Sequence, residues 1–235
     1  MSMTQENTMG PLQWLMLITL SLLWGGSFFF MKVAVLEVPT FTIVFVRVAI
    51  AALMLLIYLK ACGTALPRQG SLWALFFAVG LFNNLLPFSL LVWGMSEIAS
   101  GLAAILNATT PLFTIAVAHF ATADEKISLR KLAAILLGVA GVAVLIGPAA
   151  LDSGGPLWAI GACLGAALSY AIASMLGRQF AVRGVTPSVG AFGQVTASSV
   201  LLIPLVLAFE QPFALSWPST QVVLSLLALG ALSTA

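Results

Sequence analysis

The sequence predicts an all-α polytopic membrane protein: an inverted repeat of five transmembrane helices, its second copy truncated, with about 7.5 of ten helices present. Three observations predict it. Apolar residues make up 61% of the 235 and charged residues only 7%, against about 45–50% and about 25% in an ordinary soluble domain. The apolar residues form continuous runs rich in Leu, Ala and Gly, long enough to cross a bilayer. Fragments of the first half recur, in order, in the second.

Mean hydropathy is +1.14. Nine Lys or Arg and seven Asp or Glu cannot cover a soluble surface, which excludes a cytosolic enzyme and a disordered chain. A net charge of +2 leaves no basic patch for a phosphate backbone, so no nucleic-acid partner is expected. Two cysteines, Cys62 and Cys163, and the lone His119 make neither a disulfide framework nor a zinc site. No metal or cofactor is expected. The polar stretch Met1–Gly10 carries Glu6 and no basic residue, unlike the start of a signal peptide, so the first apolar run reads as a retained helix.

A helix rises about 1.5 Å per residue, so a hydrocarbon core of about 30 Å takes about 20 apolar residues. Seven segments qualify: Pro11–Met31, Thr40–Tyr58, Ser71–Trp93, Ala99–Phe120, Leu129–Ile146, Pro156–Gly177 and Pro187–Phe209. An eighth starts near Val222 and is still apolar at Ala235, too short to span. Alternate loops hold Lys60 and Arg68, then Lys126, Arg130 and Lys131, then Arg178 and Arg183. The opposite loops hold Lys32 with Glu37, Glu97, Asp152 and Glu210. Basic residues stay inside during insertion, which places the N-terminus in the cytoplasm. Trp73, Trp93, Trp158 and Trp217 fall near span ends, where amphipathic rings favour the interface.

LLWGGSFFFMK at 22–32 resembles LSYAIASMLGR at 168–178, and AVGLFNN at 78–84 resembles ALGALST at 228–234. Trp24 then matches Tyr170, Lys32 matches Arg178, Gly80 matches Gly230, and Asn83 and Asn84 match Ser233 and Thr234. A five-helix unit is odd, so the second copy enters the membrane from the other side, as in many secondary transporters. The copies are placed at 11–147 and 156–235, the second short of about 60 residues.

Polar groups inside a bilayer are costly and mark partners or a wet cavity. Asn83 and Asn84 lie mid-span, with Pro87 three residues on to open the hydrogen-bond ladder. They either line a substrate path or join helices, at about 0.6 kcal/mol per bond. The fourth span puts Ser100, Ala104, Asn107, Pro111, Thr114 and Ala118 on one face. The alanines read as a packing stripe, and Asn107 and Thr110 as cavity candidates. Arg47, about seven residues into its span and so roughly 10 Å deep, either snorkels to the interface or forms an anion site. Gln194 stands at nearly the same depth in the second copy. Trp24 and Tyr170 are either aromatic walls or core, with Gly25, Gly26 and Ser27 beside Trp24. The substrate-binding set is therefore Trp24, Ser27, Arg47, Asn83, Asn84, Asn107, Thr110, Tyr170 and Gln194. Gly161 and Gly165 form G-x-x-x-G and, with Gly138 and Gly141, read as helix-packing surfaces or a homodimer contact. His119 is either solvated or a proton relay.

LWGGSFFFMKVAV followed by VRVAIAAL resembles the opening of an EamA-type domain. ASGLAAILNATTPLFTIAVAHFATADEKISLRKLAAILLGVAGVAVLIG is similar to that family's fourth and fifth helices, with Pro111, an acidic Glu125, Gly138 and Gly141. The family belongs to the drug/metabolite transporter superfamily. The resemblance implies ten helices in two inverted repeats, cytoplasmic termini and a central cavity. It implies transport or export of small metabolites, amino acids or drug-like compounds across the inner membrane, by alternating access. The partners are then a small-molecule substrate and the lipid bilayer. Two rivals stand: a non-transporting scaffold or inactive fragment, and a membrane-embedded enzyme. An enzyme would need a clustered nucleophile, base or metal set, which the spans do not offer.

Overall fold

The computed structural model describes residues 10–122, 128–152 and 157–234, the side chains of Ala143 and 145–152 aside. Asp124, Glu125, Lys126 and Pro156 lie outside the described residues. The helices are α1 (Pro11–Ala34), α2 (Thr40–Ala61), α3 (Gly70–Gly80), α4 (Leu86–Glu97), α5 (Ser100–Asn107), α6 (Thr110–Ala121), α7 (Leu129–Asp152), α8 (Leu157–Val182), α9 (Pro187–Phe209) and α10 (Thr220–Leu232). A π-helical turn, Leu81–Leu85, joins α3 to α4, and a 3-10 turn, Pro212–Ala214, precedes α10. No strand occurs among the described residues. Among the described residues six stretches are long and apolar enough to cross a membrane: α1, α2, Gly70–Glu97, Ser100–Ala121, α8 and α9. The fifth expected span is the 24-residue α7.

Proline opens α1 and α9 at the first helical position, where its missing N–H costs nothing. Several helices outrun their expected ends. α1 continues through Lys32, α2 through Lys60 and α8 through Arg178. Lysine and arginine are good helix formers whose stems lie along apolar surface while the charged head reaches water, so charge does not end a helix. The eighth apolar run forms α10 from Thr220 to Leu232, and Ser233 and Thr234 form a turn. The fourth span is two helices, not one. Pro111 offers no N–H to the carbonyl of Asn107, and the Thr110 hydroxyl donates to it instead at 2.7 Å. The Thr109 hydroxyl donates likewise to Leu106 O at 2.6 Å.

α2 and α9 form the central pair, joined by Ile43, Val44, Val48, Phe192, Val195 and Leu202 of one buried cluster. α3 packs on α9 and α10 on α2, while α1 lies on α10, and α4, α5 and α6 lie on α8. Apolar side chains also cover the outside: Leu12, Leu15, Leu22 and Phe29 of α1 and Leu137 of α7 are all more than half exposed, as lipid contact requires.

Glycine makes the closest crossings. A Cβ at Gly80 would stand 2.6 Å from Gln194 O, and one at Gly230 2.6 Å from Ile50 Cβ and 3.1 Å from Arg47 O. At Gly94 it would meet Ala159 O at 2.9 Å. The expected G-x-x-x-G surface is different. Among the described residues Gly161 and Gly141 have nothing within 4 Å and Gly165 meets Leu90 alone at 3.5 Å, whereas Gly138 does pack against Leu112. Gly161 lies on an exposed face of α8, so small size there serves no crossing within the chain.

Charges gather where helices end. The Glu210 carboxylate accepts from Phe41 N (2.7 Å), Thr42 N (2.6 Å) and the Thr42 hydroxyl (2.8 Å), in the first turn of α2. That turn offers unpaired N–H groups and the positive end of the helix dipole. The Glu37 carboxylate accepts from the backbone N and hydroxyl of Ser219, the N-cap of α10, at 2.7 Å each. Lys32 Nζ donates to Met95 O (2.6 Å) and Ile98 O (3.1 Å) at the end of α4.

Candidate functional site

The site begins with a proline. Pro87 has no N–H for the carbonyl four residues back, and its ring crowds that turn. The helix widens ahead of it into the π turn, where Leu86 N reaches back to Leu81 O. Such turns free backbone groups and recur at functional sites. Neighbouring helices satisfy them here. The Ser169 hydroxyl of α8 donates to Phe82 O at 2.7 Å. The Ser198 hydroxyl of α9 shares its proton between Gly80 O (3.0 Å) and Gln194 O (2.7 Å). Asn84 Nδ2 donates to Ser198 Oγ, and Asn83 Nδ2 to Gln194 Oε1, both at 3.0 Å. The two amides therefore join helices, one of the two roles the sequence left open, and they also line a cavity.

That cavity measures about 420 Å³. Its wall brings together Trp24 of α1, Arg47 of α2, Asn83 and Asn84 of the π turn, Thr110 of α6, Tyr170 of α8 and Gln194 of α9. Phe88 and the turn residues Ser233 and Thr234 complete its polar and aromatic lining. Arg47 does not snorkel. It is 4% exposed, and its guanidinium carbon lies 3.8 Å from the centre of the Phe88 ring. Its Nε donates to Thr234 Oγ1 at 2.6 Å, and one Nη lies 3.4 Å from the Met31 sulfur. Phe88 in turn meets Tyr170 edge to face, with centroids 6.4 Å apart. Among the described residues no carboxylate lines the cavity.

Two expected residues are elsewhere. Ser27 is buried, with its hydroxyl turned onto Trp24 O at 2.6 Å. A serine in a helix can satisfy itself on the preceding turn, and this one is spent there. Asn107 lies on a second, larger groove of about 830 Å³ between α1 and α5–α6, which shares Trp24 and Thr110 with the cavity. Its Oδ1 is buried and has no partner among the described residues. His119 is half-buried near the end of α6, edge-on to Phe120. Among the polar and aromatic lining residues, Phe88, Ser233 and Thr234 were not in the expected substrate-binding set. Ser233 and Thr234 were marked by the repeat, as counterparts of Asn83 and Asn84. Phe88 carried no polar signal at all. Among the described residues no three His, Cys, Asp or Glu side chains cluster as metal ligands.

Residues 12–147 match the EamA-like transporter family. The chain is 30% identical over 207 residues to the uncharacterized inner membrane transporter YedA of Escherichia coli K12, covering 85% of this chain and 63% of that protein. It is 28% identical over 220 residues to the uncharacterized transporter YoaV of Bacillus subtilis, covering 93% and 74%. It is also 28% identical over 225 residues to protein PagO of Salmonella typhimurium, covering 92% and 71%. One solved crystal structure, 23% identical, superimposes with a TM-score of 0.65 over 94% of this chain and 74% of its own, a likeness of fold.

Proposed function

Because this chain belongs to the EamA-like transporter family, we propose that it is a multi-pass inner-membrane transporter that moves small molecules through the cavity at Arg47 and Asn83. The family and the names of the relatives point to a transporter rather than an enzyme. The chain spans 63% of the length of YedA, and activity, substrates and the export direction are all part of the proposal.

One observation carries it. The cavity is walled jointly by the segment 11–147, through Trp24, Arg47, Asn83 and Thr110, and by the segment 156–235, through Tyr170, Gln194 and Thr234. A site at the junction of two repeats is what alternating access needs, because rocking one against the other exposes it to each side in turn. The repeat itself is supported by reciprocal packing. Gly80 of α3 abuts the carbonyl of Gln194 on α9, and Gly230 of α10 abuts the carbonyl of Arg47 on α2. The basic residues at one set of helix ends and loops, Lys60, Arg68, Arg178 and Arg183, support a cytoplasmic N-terminus. Substrate would drive the cycle by binding the two conformations differently.

The test is flux of labelled amino acids, organic acids and amines into liposomes containing the purified protein. Uptake above protein-free liposomes is expected for at least one solute. No flux for any member of the panel would overturn the reading.

A further inference from the structure

We propose that the cavity is a site for small organic monocarboxylates, and that Arg47 is the group that selects them. The inference deepens the transport reading and rests on it for the identity of the site. It starts from an unbalanced charge. Arg47 is 4% exposed, and no carboxylate among the described residues pairs with it. A buried cation without a counter-ion is unfavourable. A guanidinium carries five N–H donors. Thr234 Oγ1 takes the one at Nε, and the Met31 sulfur, a weak acceptor, is the one further contact of this kind among the described residues.

The remaining donors belong to a group that is already oriented. Thr234, Met31 and Phe88 come from three different elements, and the ring of Phe88 supports the guanidinium at 3.8 Å. A fixed planar fork matches a carboxylate in bidentate fashion and loses little freedom on binding one. The rest of the wall limits the remainder of the ligand. Its other polar groups, among them Asn83, Asn84, Thr110, Gln194, Ser233 and Thr234, carry no charge, and Leu20, Leu23, Val195 and Leu232 are apolar. A second negative charge would find no second cation there, and a lone ammonium would face Arg47 itself. A volume of about 420 Å³ falls in the range of about 300–1,000 Å³ common to small-molecule sites.

The test uses phenylacetate, hexanoate and lactate, each beside the amide and the amine of the same skeleton. Binding is read at neutral pH from thermal stabilisation of the detergent-purified wild type, which requires no variant. At least one carboxylate should bind about tenfold or more tightly than its amide, and no amine should bind. Arg47→Gln should erase the preference, and Arg47→Lys should keep part of it, because the charge remains while the fork is lost. Equal binding of carboxylate and amide, no binding of any carboxylate, or a preference that survives in folded Arg47→Gln would each overturn the proposal. Flux in liposomes separates it from the transport reading. Uptake of amides without carboxylates leaves transport standing and removes the substrate class. Selective carboxylate binding without flux of any solute does the reverse.

Discussion

Two corners of the cavity are built alike and finished differently. At one, Gly80 lets α3 close on the Gln194 carbonyl, and the Gln194 side chain reaches Asn83. At the other, Gly230 lets α10 close on the Arg47 carbonyl, and the Arg47 side chain reaches Thr234. The backbone solution is the same, since a missing Cβ is what admits a carbonyl at such distances. The chemistry is not. The first corner is neutral and stitched by Ser169, Ser198 and the two asparagines. The second carries a full charge held by one hydroxyl, one sulfur and one aromatic face. Packing geometry is thus a poor guide to the potential a ligand meets, and single side chains decide it.

The comparison can be broken by substitution. The largest effect is expected at the charged corner: Arg47→Ala should lower flux of a carboxylate by about tenfold or more, and Gln194→Ala by about two- to tenfold, as charged and neutral hydrogen bonds differ. Equal losses in liposome uptake would erase the distinction. Next come the crossings. Gly80→Ala and Gly230→Ala should each cost about 1–3 kcal/mol by overpacking, read from unfolding in detergent, and a loss at one corner alone would end the likeness between them. Within the neutral corner, Ser198→Ala should cost more than Asn84→Ala, about 1–3 against about 0.5–1.5 kcal/mol. The serine leaves a carbonyl and an amide unpaired, whereas the asparagine removes one bond. The smallest effect lies outside the cavity. The backbone and hydroxyl bonds from Ser219 hold the Glu37 carboxyl below its ordinary value of 4.5. Its contribution is present above that ordinary value and is lost as pH falls through the lowered one. Thermal unfolding of Glu37→Gln should therefore differ slightly from wild type at neutral pH and not at all in strong acid.

The spans were legible because a bilayer imposes a length and a composition, and α9 begins at Pro187 and ends at Phe209, where its apolar run does. The breaks were half legible. Pro87 announced a disturbed ladder, but whether a helix answers with a π turn or a gap depends on donors that other helices supply, here Ser169 and Ser198. Asn83, Asn84 and Arg47 stood out because polarity is expensive in hydrocarbon. Ser27 stood out for the same reason, and its hydroxyl bonds its own helix backbone at Trp24 O. The crossings were least legible. Gly161 sits in a recognised spacing and touches nothing, while Gly80, Gly94 and Gly230 sit in none and make the contacts. What a glycine does is a property of whatever lies opposite, and one sequence position does not contain that.

The grip of Glu210 on Phe41 and Thr42 links residues up to 169 apart in the chain. It ties the first turn of α2, the helix that carries Arg47, to the residue just past the end of α9. Arg47 stands five residues beyond Thr42, so it lies only about 8 Å along the helix from that clasp. A ten-degree tilt about the clasp would carry that position by only about 1.3 Å, less than one hydrogen-bond length.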